Sequence, residues 1–192
     1  MEIPDLSEAL DRARMGDEES VSKLFRNLQP RLLRYLRNRA PDAADDIASE
    51  TWLSVARGLA RFEGDGDDFR GWLFTIARRR VADHYRSVGR RIATVSLDAT
   101  EEQHGSAGTA DWIAGDVEDL AIAALSAQEA VDRLVKDLTA EQADVALLRV
   151  LADLDVAQVA QVTGRSPGAI RILQFRAMRR LSKMWQEGPI TR

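Results

Sequence analysis

Apolar residues recur near the start of the chain at Val21, Leu24, Phe25, Leu28, Leu32, Leu33 and Leu36. Their spacing lies close to the 3.6-residue helical period. The pattern predicts helix from Leu6 to Ala40, either as two helices or as one kinked helix, with Gly16 and Pro30 as the punctuation. Pro41-Asp42 interrupts it and offers an N-cap for a helix from Ala43 to Arg61. "FEGDGDD" at 62–68 reads as a loop, and the next helix runs from Phe69 to Arg86. At 100° per residue, Phe69, Trp72, Leu73, Ile76 and Ala77 form one apolar arc of that helix. Phe74, Val81 and Tyr85 extend the arc, whereas Thr75, Arg78, Arg79, Ala82 and Arg86 lie opposite. Arg80 falls on the apolar side, where its expected partner is Asp83 at i+3, shared with Arg79 at i+4. No segment shows convincing period-two alternation.

From Ile92 to Ala114 the periodicity fades into a stretch rich in Thr, Gly, Ser and Ala, the composition of a flexible linker. Helical signal resumes by Val117. Thr139-Ala-Glu-Gln142 is a capping box opening a helix that carries Val145, Leu147, Leu148 and Leu151. Asp155 caps a short helix from Val156 to Val162, and Thr163-Gly164-Arg165 is a turn. Ser166-Pro167 is an N-cap followed by proline at the first helical position, opening a last helix to about Trp185. Ala160, Gly164 and Ile170 have the spacing of a helix-turn-helix: a small residue where helices cross, a glycine in the turn and a core anchor in the second helix. The fold class predicted is all-α, with two small helical domains, residues 1–91 and 117–192, joined by a flexible acidic linker, 92–116. The C-terminal domain is the helix-turn-helix.

Charge alters this picture more than composition does. The 192-residue chain has a net charge of −4, yet seven arginines and one acid, Asp83, lie between Phe69 and Arg91. Six basic residues and no acid lie between Arg165 and Lys183. Ile92 to Asp132 holds nine acids and no Lys or Arg. Two basic patches separated by an acidic connector point to nucleic acid, because local charge decides what a surface attracts.

Other chemistry is sparse. There is no cysteine, and the two histidines, His84 and His104, are far apart. No cluster has metal-ligand spacing, and "GDGDD" lacks the register of a calcium loop. Neither an enzyme nor a metal or other cofactor is expected. Met-Glu-Ile-Pro-Asp is not a signal peptide, and no apolar run approaches a membrane span of ~18 residues, so a cytoplasmic protein is expected.

On the last helix, Ile170, Leu173, Ala177, Leu181 and Met184 share the core-facing arc. Arg171, Ile172, Phe175, Arg176, Arg179 and Lys183 fall on the remainder. A recognition helix offers its outward N-terminal residues to base edges and its arginines to bases and phosphates, which makes Arg171 the leading base-reading candidate. A helix-turn-helix transcription regulator with a helical sensor domain would account for residues 139–184. It would not account for the arginine-rich helix before the linker.

With both motifs in view, "DDIASETWLSVARGLARFEGDGDDFRGWLFTIARRRVADHYRSVGRR" resembles domain two of bacterial RNA polymerase sigma factors of the extracytoplasmic-function group. These are the small two-domain members of the sigma-70 family. "LTAEQADVALLRVLADLDVAQVAQVTGRSPGAIRILQFRAMRRL" is similar to their domain four. The resemblance implies a factor that binds core RNA polymerase and directs promoter-specific initiation, with an anti-sigma protein as a further partner and no membrane insertion. Asp45, Asp46, Ser49, Glu50 and Leu53 match the polymerase-binding helix, where the family usually has Gln at the position of Ser49. Phe62 and the loop after it match the segment that receives a flipped minus-ten base, with Arg79 where many members carry Asn. Asn both donates and accepts to a base edge, whereas Arg only donates. Arg78, Arg86, Arg90 and Arg91 match residues that grip the upstream duplex. Arg165, Ser166, Gly168, Arg171, Ile172, Phe175, Arg176 and Arg179 match the minus-35 reading helix and its phosphate contacts. Much of the family reads Lys-Ser-Arg where this chain has Arg171-Ile172-Leu173.

Overall fold

The structure, a computed structural model, describes residues 6–95, 131 and 135–187, with side chains described to 89 in the first stretch and to 183 in the last. Most of the expected linker, and the resumption of helix at Val117, lie outside the described residues. Among those described, seven α-helices and two 3-10 turns occur and no strand. The helices are α1 (Leu6–Arg14), α2 (Glu18–Arg39), α3 (Ala44–Gly58), α4 (Gly66–Val95), α5 (Ala140–Val150), α6 (Val156–Thr163) and α7 (Pro167–Glu187).

The first expected segment divides at Gly16, not at Pro30. Gly16 takes φ +89°, and Asp17 then caps α2 by accepting from the Ser20 N–H at 2.9 Å. The Ser20 side chain, and after it this N–H bond, hold the Asp17 carboxyl below its usual pKa. Pro30 lies inside α2 on an exposed face, where the helix continues past it. Leu24, Leu28, Leu32, Tyr35 and Leu36 are buried, but Val21 and Phe25 of the same apolar stripe are about two-fifths exposed at 39% and 42%. The stripe is wider than the core it meets.

The entry to α3 differs from expectation. Pro41–Ala43 forms a 3-10 turn, Ala43 takes the N-cap position and no side chain caps it, so Asp42 does not play that part. Proline fixes φ for the tight turn, and the turn itself delivers the chain into the helix. The helix also ends at Gly58, with a 3-10 turn over Leu59–Arg61 completing the expected span.

The acids of the 62–68 loop have a local structural role. The Asp65 carboxylate accepts from the N–H groups of Asp67 and Asp68, each at 2.9 Å, and Asp68 accepts in return from the Asp65 N–H at 3.2 Å. This satisfies two orphan donors of the α4 N-terminus, and Ser7 Oγ accepts from a third, the Gly66 N–H, at 3.2 Å. It starts the helix at Gly66, three residues before the expected Phe69. The helix continues to Val95, four residues into the segment expected as linker. Phe69, Leu73, Phe74, Ala77 and Val81 bury one face of α4 against α1, α2 and α3.

In the second half, Thr139/Gln142 forms the expected reciprocal capping box, and Asp155, expected as a simple cap, forms a second box with Gln158. Gly164 ends α6 at φ +68°, with its N–H on the Ala160 and Gln161 carbonyls, and Arg165 N–H returns to Ala160 O at 3.0 Å. Ser166 Oγ accepts from Ala169 N–H at 3.2 Å and opens α7. A side chain at 164 would have to occupy the left-handed region. Gly164→Ala is therefore expected to lower the stability of this half by about 1 kcal/mol, measurable as a lower midpoint in thermal or urea unfolding.

The two halves are packed together. Helix α6 lies along α4, α5 touches α2, and the buried apolar residues of both halves form one continuous cluster.

Candidate polymerase and nucleic-acid interfaces

Four surfaces carry the residues singled out from the sequence. On α3, Asp45, Asp46, Ser49, Glu50 and Leu53 are all exposed. Their spacing of one, three, one and three residues makes a single stripe along the helix. The stripe is acidic at its N-terminal end, where Asp45 and Asp46 occupy the first turn, and apolar at Leu53, which is 56% exposed. Ile47, Ala48, Thr51 and Val55 bury the opposite face and fix the stripe outward.

Beside Leu53 runs an apolar groove lined by Val21, Phe25, Trp52 and Ala56 among others. Phe25 and Trp52 meet with ring centroids 5.0 Å apart, and Trp52 Nε1 donates to Gln29 Oε1 at 2.6 Å. The polar tip of the indole is thus satisfied while its ring remains part of the groove. The groove was not foreseen. Its signal was the excess width of the α2 stripe, which supplies more apolar positions than one helix face buries.

The expected Arg80–Asp83 pair is not formed. Arg80 reaches instead to α3, with Nη1 3.3 Å from Glu50 and Nη2 donating to Ser54 Oγ at 3.1 Å. Asp83 pairs with Arg86 one turn further on. Arg80 lies on the α4 flank beside α3, so its guanidinium finds the carboxylate of the neighbouring helix. The pairing ties an α3 stripe residue to the arginine-rich helix.

The second surface surrounds Phe62. Its ring stacks on Trp72 at 4.9 Å with 26° between the planes, and Phe69 approaches it edge-on at 5.6 Å. The Arg14 guanidinium sits 5.3 Å from the Phe62 centroid and also donates to the Gly64 carbonyl. Sequence reading missed Arg14, which sits fifty residues before the loop it supports. Phe62 is half-buried, and the residues beyond it, Glu63, Gly64 and Asp65, are exposed. Arg79 is exposed two turns after Trp72, on the same side of α4 and not opposite it as the division into arcs predicts: seven residues bring the helix almost back to the same direction.

Arg78 marks a third region, and it does not point into open solvent as its arc suggested. Its Nε donates to Asp144 Oδ2 on α5 at 2.9 Å. The same carboxylate accepts from Tyr35 Oη at 2.9 Å and lies 3.5 Å from Arg39 Nε. The Asp144 side chain is only 7% exposed. Arg86 is exposed and paired with Asp83, whereas the side chains of Arg90 and Arg91 lie outside those described.

Burial, followed by the charge of Asp144 and its hydrogen bond, holds the Tyr35 phenol well above its ordinary range; Arg39 and Arg78 oppose this shift. A phenol pKa raised by folding stabilises the structure below its unfolded pKa of about 10. That contribution is lost as pH rises through the higher folded value. Stability is thus expected to fall above about pH 10, and Tyr35→Phe should flatten that part of a profile of unfolding midpoint against pH.

The fourth surface is α7. Ile170 and Ala177 are buried and Leu173 and Leu181 half-buried, as the core-facing arc required, while the side chain of Met184 lies outside those described. Arg165, Ser166, Gly168, Arg171, Ile172, Phe175, Arg176 and Arg179 are all exposed. Arg165 is paired with Glu141. Ile172 and Phe175 are 54% and 66% exposed, so the outward face mixes cations with large apolar groups.

Comparison with known proteins points to one family. The family model described as Sigma-70 region 2 matches residues 24–91, and that described as Sigma-70, region 4 matches residues 128–181. The ECF RNA polymerase sigma factor BldN of Streptomyces coelicolor is 33% identical over 184 residues, covering 93% of this chain and 65% of BldN. ECF RNA polymerase sigma factor SigD of Mycobacterium tuberculosis is 31% identical over 172 residues, or 86% of this chain and 77% of SigD. ShbA of Streptomyces griseus, another ECF sigma factor, is 31% identical over 187 residues, which span 92% of this chain and 93% of ShbA.

Two solved structures share the fold, each at TM-score 0.62 and 20% identity. One is CnrH in complex with the cytosolic domain of CnrY, covering 96% of this chain and 100% of that one. The other is the sigma factor RpoE in complex with the anti-sigma factor NepR from Bartonella quintana, covering 91% of this chain and 99% of that one. The chain belongs to the sigma-70 family of RNA polymerase sigma factors, in its extracytoplasmic-function group.

Proposed function

We propose that this chain binds core RNA polymerase through the α3 stripe and its adjoining groove, and directs the polymerase to promoters by reading DNA at two places. Residues 1–91 act as domain two, 92–116 as the connector and 117–192 as domain four. The observation that carries the reading is the presence, on one chain, of an exposed acidic-to-apolar stripe on α3 and an exposed basic recognition helix, α7.

Each surface suits a different task. Asp45, Asp46 and Glu50 offer charge for steering, and Leu53 with Phe25 and Trp52 offers apolar area for affinity. Phe62, braced by Trp72, Phe69 and Arg14, gives an unpaired minus-ten base a rigid aromatic support beside exposed backbone. Arg79 adds a donor-only contact on that side, suited to a purine Hoogsteen edge or a phosphate. Arg78, Arg86, Arg90 and Arg91 neutralise phosphates of the upstream duplex, a salt-dependent and sequence-blind contribution. In domain four, Arg171 reads a base edge and Ile172 and Phe175 contact thymine methyls. Arg165, Arg176 and Arg179 hold phosphates, and Ser166 and Gly168 admit the α7 N-terminus close to the backbone.

The role is recruitment and melting, with no covalent step in this chain and no cofactor. The proposed partners are core polymerase, promoter DNA and an anti-sigma protein, the last because RpoE of the same fold was captured with one. No described helix is long and apolar enough to cross a membrane, which suits a factor acting beside cytoplasmic polymerase. Co-elution with purified core polymerase on gel filtration tests the first half of the reading. Stable co-elution is expected, and a chain that elutes alone at micromolar concentration would overturn it.

A further inference from the structure

Helix α1 holds the 62–68 loop at two points. Near its N-terminal end, Ser7 Oγ accepts from the Gly66 N–H at 3.2 Å. The approach is close: a Cβ on Gly66 would stand 2.8 Å from Leu6 Cβ and 3.1 Å from the Ser7 nitrogen. At its C-terminal end, Arg14 Nη2 donates to the Gly64 carbonyl and Nη1 to Asp11 Oδ1 at 3.1 Å. The same guanidinium lies 5.3 Å from the Phe62 centroid. Leu10 and Ala13 are buried between these points and fix the register of the helix. Arg12 gives the contrast. It pairs with Glu8 on its own helix with its side chain 59% exposed, whereas the Arg14 side chain is 24% exposed. Arg14 Nε is buried without an acceptor among the described residues. The guanidinium is placed for the loop, at some cost to its own solvation.

The backbone groups of the loop can be followed one by one. Phe62 N–H donates to the Leu59 carbonyl, Asp65 N–H to Asp68, Gly66 N–H to Ser7, and the N–H groups of Asp67 and Asp68 to Asp65. The Asp65 carbonyl accepts from Phe69 N–H, and the Gly64 carbonyl accepts from Arg14. What stays open, among the described residues, is the Phe62 carbonyl, both groups of Glu63 and the Gly64 N–H. These directly follow the Phe62 ring in the chain. Arg14 therefore removes the Gly64 carbonyl from the groups that a ligand on the ring can meet. Gly64 takes φ +136°, where no side chain restrains the peptide planes on either side of it. Arg14 supplies the restraint from another helix.

Resting on the reading of Phe62 and its loop as the seat of the unpaired minus-ten base, we propose that α1 is part of that seat. Arg14 and Ser7 set which backbone groups the loop presents, and so which base it accepts. Arg14 is a positioning residue, not a base contact. Its planar fork reaches the ring, the Gly64 carbonyl and Asp11 together, which a lysine ammonium cannot reproduce. A loop held at two points presents its open groups in one geometry. Released, those groups average over several geometries, and discrimination among bases falls more than overall affinity. Stacking on Phe62 survives because every base has a π-face.

The test uses holoenzyme assembled from core polymerase and the full chain, as parent, Arg14→Ala, Arg14→Lys, Ser7→Ala or Phe62→Ala. Each is bound to a library of forked duplexes with a randomised unpaired strand, and the retained strands are sequenced. Arg14→Ala should reduce base preference roughly tenfold at a single position of the unpaired strand, with the other positions and the binding of polymerase unchanged. Arg14→Lys keeps a cation by the ring and should retain part of the preference. Ser7→Ala removes one hydrogen bond and should shift the same position by less, which keeps the test sound if Arg14→Ala folds poorly. Preferences equal to those of the parent in the Arg14 and Ser7 variants would overturn the inference. So would an equal loss at every position, which would make Arg14 a support of the fold alone. Phe62→Ala tests the underlying reading by itself: if it alters no position, the loop is not the seat of the base. An effect of Phe62→Ala without one of Arg14→Ala overturns the part given to α1 and leaves the seat in place.

Discussion

Leu53→Asp is expected to weaken binding to core RNA polymerase by about 2 kcal/mol or more, roughly thirtyfold, without unfolding the chain. Leu53 is more than half exposed in this structure, so the substitution leaves the packing of α3 intact. Burial of α3 rests on Ile47, Ala48, Thr51 and Val55, which point the other way. The penalty arises at the interface. A carboxylate placed at the apolar end of the stripe, next to Phe25 and Trp52, would be desolvated against a partner with no matching charge there. Titration of labelled chain with core polymerase reads the loss, and an unchanged melting midpoint separates it from misfolding. Binding equal to that of the parent chain would place the polymerase contact elsewhere than on α3.

Arg171→Ala is expected to cost about 1–3 kcal/mol in binding a minus-35 duplex, with polymerase binding unchanged. Arg171 stands one position after the buried anchor Ile170, on the exposed side of α7 near its N-terminal end. Geometry there favours contact with base edges over phosphates. The loss should vary with the base pair presented at one position of the site. Arg179→Ala, further along the helix, should weaken all sequences about equally and reduce the salt slope by about one. Competition among duplexes that differ at single positions distinguishes the two. If Arg171→Ala weakened every duplex equally, Arg171 would be a phosphate contact and the reading residue would be another.

Local features were legible where their cause is local. The capping box at Thr139, the cap at Asp155, the turn at Gly164 and the split of α7 into core and outward arcs each depend on residues within a few positions of one another. The failures have an equally physical cause. Pro30 forfeits one helical hydrogen bond, but on an exposed face that loss is made up by water, so the helix does not stop there. Asp42 was expected to cap α3, and a 3-10 turn serves instead.

Three of the longer-range misses concern arginine. Helical spacing assigned Arg80 to Asp83 because both lie on one helix, yet a flexible guanidinium pairs with whichever carboxylate the packing brings nearest, and that is Glu50. Arg78 looked outward on its own helix, and α5 covers it with a carboxylate sixty-six residues away. Arg14 supports Phe62 and Gly64 from α1. A helical wheel records which way a side chain leaves its own helix. It carries no record of which other helix packs there.

The most direct test of the central claim is in vitro transcription with core RNA polymerase, this chain and a library of genomic fragments, with transcript 5′ ends mapped. New start sites dependent on the chain are expected, preceded by two shared sequence elements at a constant separation. Arg171→Ala should alter the upstream element and Arg79→Ala the downstream one. An absence of start sites beyond those of core polymerase alone, in a preparation that binds duplex DNA, would contradict the account and leave a helix-turn-helix regulator as the reading of residues 139–184.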